Sequence, residues 1–181
     1  MRIHGANLSQ VAQSKGISAE QLAESIVRTG LPKSRSLSAV KNWMKGRDHP
    51  RCRASDITKM AEVLGVAPAD IARFTCILKY HRGSPRKANL LAQLIRGKDI
   101  ITAENLLTFT TKRAALDVKK ALVNARTDAE QANADLDKLF VSESRVDEGP
   151  MMKRFQPKDR GRAHRILKRQ THITVSVEQR A

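Results

Sequence analysis

Residues 140–177 read FVSESRVDEGPMMKRFQPKDRGRAHRILKRQTHITVSV. The first eight residues of this stretch have the pattern of a strand, and the run ITVSV at 173–177 alternates as a second strand. The residues between them are strongly basic and have little apolar content. A loop of that length inside a compact domain is functional or disordered. Flanking strands favour a third interpretation, an extended two-stranded arm with its tip at Lys158 to Arg162 and with Gly161 in the turn.

The arm has eight basic residues and a single acidic residue, Asp159, between positions 151 and 170. An isolated two-stranded ribbon is marginally stable in water, and its like charges repel one another. Phosphate groups around the ribbon would offset that repulsion. We therefore predict that the arm is ordered against nucleic acid. Its basic residues are Lys153, Arg154, Lys158, Arg160, Arg162, Arg165, Lys168 and Arg169.

The composition of the whole chain favours the same partner. Among 181 residues, Lys and Arg number 34 and Asp and Glu number 18, which gives a formal net charge of +16. A chain this basic repels itself unless it works against a polyanion, so nucleic acid is the first candidate and an anionic membrane surface the second. Aromatic residues make up only 3% of the chain, which disfavours a protein that stacks successive single-stranded bases.

Several other classes of protein are disfavoured. The sequence contains no GxGxxG motif, no Walker loop and no nucleophile with a placed base, so we expect no enzymatic activity and no cofactor. Cys52 and Cys76 form no CxxC motif and no Cys/His pair at the spacing of metal ligands, so we expect no metal site. No apolar run has the length of a membrane span and the N-terminus lacks a signal core, which predicts a cytoplasmic protein.

The first 73 residues have a helical pattern throughout. Gly16 is predicted to end the first helix, and Ser18 with Gln21 is predicted to form a capping box that begins the second. Gly30 and Pro32 break the pattern. Ser36 is expected to cap a third helix, with Trp43 as a core anchor and Gly46 at its end. A fourth helix is expected from Ser55 to a stop at Gly65.

This order of helices resembles the Cro/repressor type of helix-turn-helix. The resemblance rests on KGIS at 15–18, QLA at 21–23, LSAVKNWMKG at 37–46 and AEVLGVA at 61–67. It implies that the third helix enters the major groove of DNA. The side chains expected on its outward side are Arg35, Ser36, Ser38, Lys41, Asn42 and Lys45.

The chain after residue 73 reads as a strand, three helices and a strand-rich tail. The run FTCILKYHRG from Phe74 is the strand, and Ser84 and Pro85 are suited to begin a helix that buries Leu90, Leu91, Leu94 and Ile95 and ends at Gly97. Two further helices are expected at about 102–108 and 111–132. The predicted fold class is therefore α+β, with a small antiparallel sheet and a long hairpin, preceded by an all-α domain.

Several motifs in this second part resemble the large-ribosomal-subunit protein twenty-two family. They are SPRKA at 84–88, IRGK at 95–98, VDEGP at 146–150, MKR at 152–154, GRA at 161–163 and KRQTHITV at 168–175, and the resemblance runs from about Phe74 to Arg180. It implies an α+β body on 23S ribosomal RNA beside other large-subunit proteins. It also implies a hairpin that lines the polypeptide exit tunnel, where it would face the nascent polypeptide.

The same resemblance implies the residues that bind RNA. Outside the arm these are Ser84, Arg86, Lys87, Arg96, Lys98 and His172, and within it they are the eight cations named above. Arg86 and Lys87 would bind phosphate beside the free N–H groups of a helix N-terminus. The tip that would reach the tunnel comprises Lys158, Asp159, Arg160, Gly161, Arg162 and Ala163.

Two domains are therefore expected, a helical extension at 1–73 and a ribosomal-protein domain at 74–181 with its hairpin at about 148–172. The predicted function is that of a structural constituent of the large subunit, which binds 23S ribosomal RNA, supports assembly and lines the exit tunnel. The alternative is a DNA-binding transcriptional regulator that acts through the helix-turn-helix extension, with autoregulation at its own operator as one form of that role. The extension could instead contact peripheral ribosomal RNA or a neighbouring protein.

Overall fold

A computed structural model of the protein describes residues 1–26 and 31–180, and the predicted break at Gly30 lies outside these residues. The chain forms two compact units. The first comprises residues 1–75, 126–139 and 178–181, and the second comprises residues 76–125 and 140–177. Helices and antiparallel strands together give the α+β class that the sequence predicts. Among the described residues, no helix is both long and apolar enough to span a membrane.

The first unit is built around five helices. These are α1 (Gly5–Lys15), α2 (Ala19–Ser25), α3 (Lys33–Met44), α4 (Ala54–Leu64) and the short α5 (Pro68–Ile71). Strand β1 (Arg2–Ile3) pairs antiparallel with the start of β2 (Ala72–His81), where Arg2 lies opposite Arg73. The largest fully buried side chains of these helices are Leu8, Leu22, Trp43, Ile57, Met60 and Ile71, so one apolar core holds the helices together.

Local capping chemistry determines where several of these helices begin and end. The Ser18 hydroxyl accepts a hydrogen bond from Gln21 N and the Gln21 side chain accepts one from Ser18 N, which is the predicted capping box. Gly16 and Gly65 end α1 and α4 in the left-handed conformation, with φ of 67° and 62°. An L side chain would be strained there, so glycine is favoured at both positions.

The expected start of α3 was wrong. The helix begins at Lys33 after Pro32, and Ser36 lies inside it with its N–H bonded to the Pro32 carbonyl at 3.1 Å. Ser36 is 1% exposed, so it neither caps the helix nor faces outward. The prediction for Trp43 is confirmed: its side chain is fully buried and its Nε1 donates to the Pro50 carbonyl at 2.6 Å.

The second unit contains most of a sheet, two whole helices and the first part of a third. The helices are α6 (Pro85–Ile95), α7 (Ile100–Phe109) and α8 (Ala114–Glu130), and the strands after β2 are β3 (Leu139–Glu148), β4 (Met152–Pro157), β5 (Ala163–Lys168) and β6 (Thr171–Gln179). Strand β6 lies between β2 and β3, which explains why Ile173, Val175 and Val177 are buried.

Helix α6 differs from its prediction on one face. Leu91 and Ile95 are buried as expected, but Leu90 and Leu94 are 56% and 40% exposed. The four leucine and isoleucine positions cover too wide an arc for one packed face, and only Leu91 and Ile95 point into the core. The predicted end of the helix is confirmed, because Ile95 is its last residue and Gly97 has a φ of 74°.

Candidate nucleic-acid interface

Strands β4 and β5 form the predicted two-stranded arm. Six cross-strand pairs run from Met152 opposite Lys168 to Pro157 opposite Ala163. Six residues of strand extend roughly 20 Å. The tip is a tight turn in which Lys158 N donates to the Arg162 carbonyl at 2.7 Å, with Arg160 and Gly161 at positive φ. The prediction that Gly161 lies in the turn is confirmed.

The side chains of the arm are presented to solvent. All eight of its basic residues are exposed, and so are Asp159 and Ala163 at the tip. Phe155 is 74% exposed, which is unusual for an aromatic side chain. A segment with cations and an uncovered aromatic ring on its surface is suited to a partner that supplies both phosphate groups and flat bases.

The register of the arm keeps its cations apart. Lys153 lies opposite Leu167, Arg154 opposite Ile166 and Arg165 opposite Phe155. No two basic residues of β4 and β5 are directly opposite each other. Like charges in directly opposed positions destabilise a strand pair, so this register lowers the repulsion within the ribbon. The sequence shows the number of charges but not this pairing.

Both faces of the arm carry positive charge. Because successive side chains of a strand point to opposite faces, Arg154 and Lys168 share one face and Lys153 and Arg165 share the other. A ribbon that binds its partner on a single side would need cations on that face alone. The arm is therefore suited to insertion between two negatively charged surfaces.

The base of the arm is closed by contacts of His172. Its Nδ1 accepts a hydrogen bond from Tyr80 N at 3.1 Å, and the two rings meet edge to face with their centroids 5.0 Å apart. Gly149 N donates to the Gln170 carbonyl at 2.8 Å on the same side. His172 thus has a structural role in joining the arm to β2, in addition to any contact with RNA.

A second basic site lies around the start of α6. A cavity of about 660 Å³ is lined by residues of the β2–α6 loop, the first turns of α6 and the start of α8. Ser84 is the N-cap residue of α6, and its hydroxyl makes no capping bond. The cations around the cavity are Arg82, Lys87, Lys112 and Arg113. Sequence reasoning identified only Lys87 and Ser84, because Lys112 and Arg113 are some 25 residues further along the chain.

The wall of this cavity is held by a contact between His81 and Asp117. His81 Nδ1 lies 3.1 Å from Asp117 Oδ2, and the His81 side chain is 9% exposed. Gly83 packs so closely on this ring that an added Cβ would lie 2.5 Å from His81 Nε2. The loop that carries Arg82 and Ser84 is therefore fixed against α8 by His81.

The remaining predicted RNA-binding residues differ in their surroundings. Arg86 and Lys98 are exposed, and Arg86 lies in the first turn of α6. Arg96 is also exposed, but its Nε and one terminal nitrogen donate to the Ser144 carbonyl at 3.2 and 2.6 Å. Arg96 therefore also links the end of α6 to β3, which is a structural task that the sequence did not indicate.

The predicted groove-facing residues of α3 lie in the first unit. Arg35, Ser38, Lys41 and Lys45 are exposed. Asn42 is half-buried and its Nδ2 donates to the His49 carbonyl at 3.1 Å. Ser36 is buried and does not belong with them.

The arm and the sheet that supports it lie in a part of the chain that matches a known family. The sequence profile of ribosomal protein L22p/L17e matches residues 76–178, which is more than half of the chain. The chain belongs to the ribosomal protein L22p/L17e family. The match includes the arm and the residues of the α6 cavity, and it excludes β1 and helices α1 to α5. As a member of the L22p/L17e family, the protein is a structural component of the ribosome.

Proposed function

We propose that this protein binds 23S ribosomal RNA in the large subunit, supports subunit assembly and lines the polypeptide exit tunnel with the tip of its arm. The observation that carries the proposal is the exposed β4–β5 ribbon, with eight cations and one acid between residues 151 and 170. Phosphate contacts supply most of the sequence-independent affinity for nucleic acid. A ribbon with cations on both faces is suited to the narrow space between RNA helices.

The α6 cavity provides a second contact with RNA under this proposal. Its cations come from two segments, Arg82 and Lys87 in one and Lys112 and Arg113 in the other. They surround a partly apolar space that includes Leu90 and Ala114, which can accept an unstacked base. Two separated contacts would fix the orientation of the body, whereas the arm alone would fix only its own position.

The tip of the arm is the part proposed to reach the tunnel and the nascent polypeptide. Lys158, Arg160 and Arg162 place three cations within five residues there, beside Asp159. The turn is closed by a backbone hydrogen bond from Lys158 N to the Arg162 carbonyl. A small closed turn is suited to line a wall that a moving peptide passes. The proposed location is the cytoplasmic ribosome.

The salt dependence of RNA binding tests the role of the arm. The variant replaces Lys153, Arg154, Arg165 and Lys168 with Gln in the full chain. The matched control replaces four exposed cations outside the arm and the cavity, namely Arg2, Lys15, Lys59 and Lys138. Filter binding to 23S ribosomal RNA between 50 and 200 mM salt gives the slope of log K against log salt for each protein.

We expect the arm variant to lose about 3 units of slope, at roughly 0.7–0.9 per phosphate contact. The ratio of the affinity of the unchanged protein to that of the variant should therefore be about 60-fold larger at 50 mM than at 200 mM salt. Equal losses in the variant and the control would refute a specific role for the arm.

A photoreactive residue in place of Arg162 tests the proposed contact with the tunnel, because it should crosslink to the nascent chain in stalled ribosomes.

A further inference from the structure

Strand β2 has an open edge over most of its length. The strands of the sheet lie in the order β1, β2, β6 and β3, and β1 pairs only with Ala72 and Arg73. Within the described residues, no other strand pairs with that side of β2, which is 10 residues long. The later part of β2 is therefore an edge of the sheet, and we call its residues 77–80 the β2 edge.

The register of β1 shows which way the backbone of β2 faces. Arg2 lies opposite Arg73, and His4 N donates to the Ile71 carbonyl at 2.9 Å. Hydrogen-bonded and non-hydrogen-bonded positions alternate in an antiparallel pair, so Arg2 and Arg73 form the next hydrogen-bonded pair. The N–H and C=O groups of Arg73 therefore point to the side of β2 on which β1 lies.

The same alternation places the backbone groups of the β2 edge. The N–H and C=O groups of Ile77 and Lys79 point to the same side as those of Arg73, because every second residue of a strand faces the same neighbour. Tyr80 N donates to His172 Nδ1 in β6, as expected for a residue of the other set. Among the residues that the structure describes, none makes a backbone hydrogen bond to Ile77 or Lys79 from the outer side. The β2 edge thus presents two donors and two acceptors in alternation.

The side chains of the β2 edge are apolar and basic. Ile77 is 42% exposed and Tyr80 is 57% exposed, and Lys79 is exposed between them. The run ARFTCILKYHRG at 72–83 contains no acidic residue, and Arg82 adds a further exposed cation. Tyr80 has a φ of 59°, which interrupts the regular strand and ends the open edge there.

From these observations we infer that the β2 edge docks an extended polypeptide segment with acidic and apolar side chains. Phosphate oxygens only accept hydrogen bonds, so a phosphate backbone would match the two N–H groups and leave the two carbonyls unmatched. A polypeptide strand supplies both kinds of group, and strand addition at a sheet edge is an established mode of peptide binding. An apolar residue beside Ile77 and a carboxylate beside Lys79 would complete the match. This contact with a protein is separate from any contact of the arm with RNA.

A second copy of this chain is a poorer occupant of the same edge. Its own β2 would bring Lys79 and Arg82 towards identical cations, and like charges across a strand pair are destabilising. The formal net charge of +16 adds repulsion between two whole chains. An acidic segment of another protein reverses both of these contributions, so charge complementarity favours it.

The experiment uses the full chain and a labelled, end-blocked peptide of eight alternating Val and Glu residues. The control peptide has the same sequence with N-methyl groups on its four central residues, so it keeps the side chains and lacks strand donors on both edges. Fluorescence anisotropy gives the two affinities, and amide hydrogen exchange shows where the peptide binds. The protein variant is Lys79→Glu, and its matched control is Lys59→Glu, at another exposed lysine.

We expect the N-methylated peptide to bind about 10-fold or more weakly, because two backbone hydrogen bonds are lost. Exchange at the amides of Ile77 and Lys79 should slow in the complex, whereas the amide of Leu78, which faces β6, should not change. Lys79→Glu should weaken binding of the Val/Glu peptide about 3-fold and favour a Val/Lys peptide by a similar factor, and Lys59→Glu should change neither.

Several results would overturn the inference. These are equal affinities for the two peptides, protection that omits Ile77 and Lys79, and no binding of the Val/Glu peptide at about 1 mM. A dimer of the unliganded chain that protects the same two amides would show that the occupant is a second copy instead. Failure of the arm experiment above would leave these outcomes unaffected, because the two tests alter different residues and use different ligands.

Discussion

Substitution of Gly83 by Ala should destabilise the second unit through a single side chain. The new Cβ would lie 2.5 Å from His81 Nε2 and 3.0 Å from His81 Cδ2. The backbone at Gly83 itself can accept a side chain, since its φ lies outside the left-handed region. The ring of His81 cannot move freely, because Nδ1 lies 3.1 Å from Asp117 Oδ2 and the side chain is largely buried. The alanine must therefore displace the ring and break its pairing with Asp117.

The cost of this substitution has an upper limit, which is the cost of losing the His81 contact altogether. A hydrogen bond to a charged group contributes about 1.5–3 kcal/mol, and overpacking costs about 1–3 kcal/mol. We expect a loss of about 2 kcal/mol in the free energy of unfolding. For a chain of this size, that loss corresponds to a fall in Tm of roughly 4–8 °C.

A double-mutant cycle measures whether His81 is the cause. Thermal and urea unfolding would be compared for the unchanged protein, Gly83→Ala, His81→Ala and the double variant. Once His81 is absent, the new methyl group meets no obstacle, so the double variant should be about as stable as His81→Ala alone. Losses that simply add, within about 0.5 kcal/mol, would refute the reasoning.

Two further substitutions test close packing and strand register. Gly5→Ala would place a Cβ against the Trp43 carbonyl oxygen and 2.6 Å from Gly46 N, so chemical denaturation should show a loss of about 3 kcal/mol or more in the free energy of unfolding. Gly16→Ala has no atom within 4 Å of the new Cβ, so it should lose only about 1–2 kcal/mol from its positive φ. Ile166→Lys would put a cation directly opposite Arg154 and cost the ribbon about 0.2–1 kcal/mol. Met151→Lys is the matched control, because it adds the same charge outside the strands. Ile166→Lys should improve RNA affinity less than this control does. An equal or larger improvement would contradict this account of the register.

The local features of the fold follow closely from the sequence. The capping box of Ser18 and Gln21, the helix ends at Gly16 and Gly65, and the turn at Gly161 are all confirmed. Each of these depends on residues within a few positions of one another, where backbone conformation and a single hydrogen bond decide the outcome. The arm was predictable for the same reason, since its strand pairs connect neighbouring segments across one turn.

Predictions that depended on distant packing were less accurate. Leu90 and Leu94 were expected to be buried and are exposed. The cap predicted at Ser36 is a local prediction that was wrong, because α3 begins at Lys33 and Ser36 lies inside it. A pattern of apolar residues shows that a helix has a packed face, but not which residues at the edge of that face are covered. The neighbouring elements decide that coverage.

The amino-acid sequence alone predicted the kind of partner and the part of the chain proposed to contact it, because charge and turn chemistry are properties of short segments. It also indicated the ribosomal family through motifs that stand in order along the chain. Only the tertiary structure decided which distant cations share a site, as Lys87 and Arg113 do around the α6 cavity. It also assigned packing roles to His172 and Arg96, because a side chain's partners depend on contacts between segments that lie far apart in the chain.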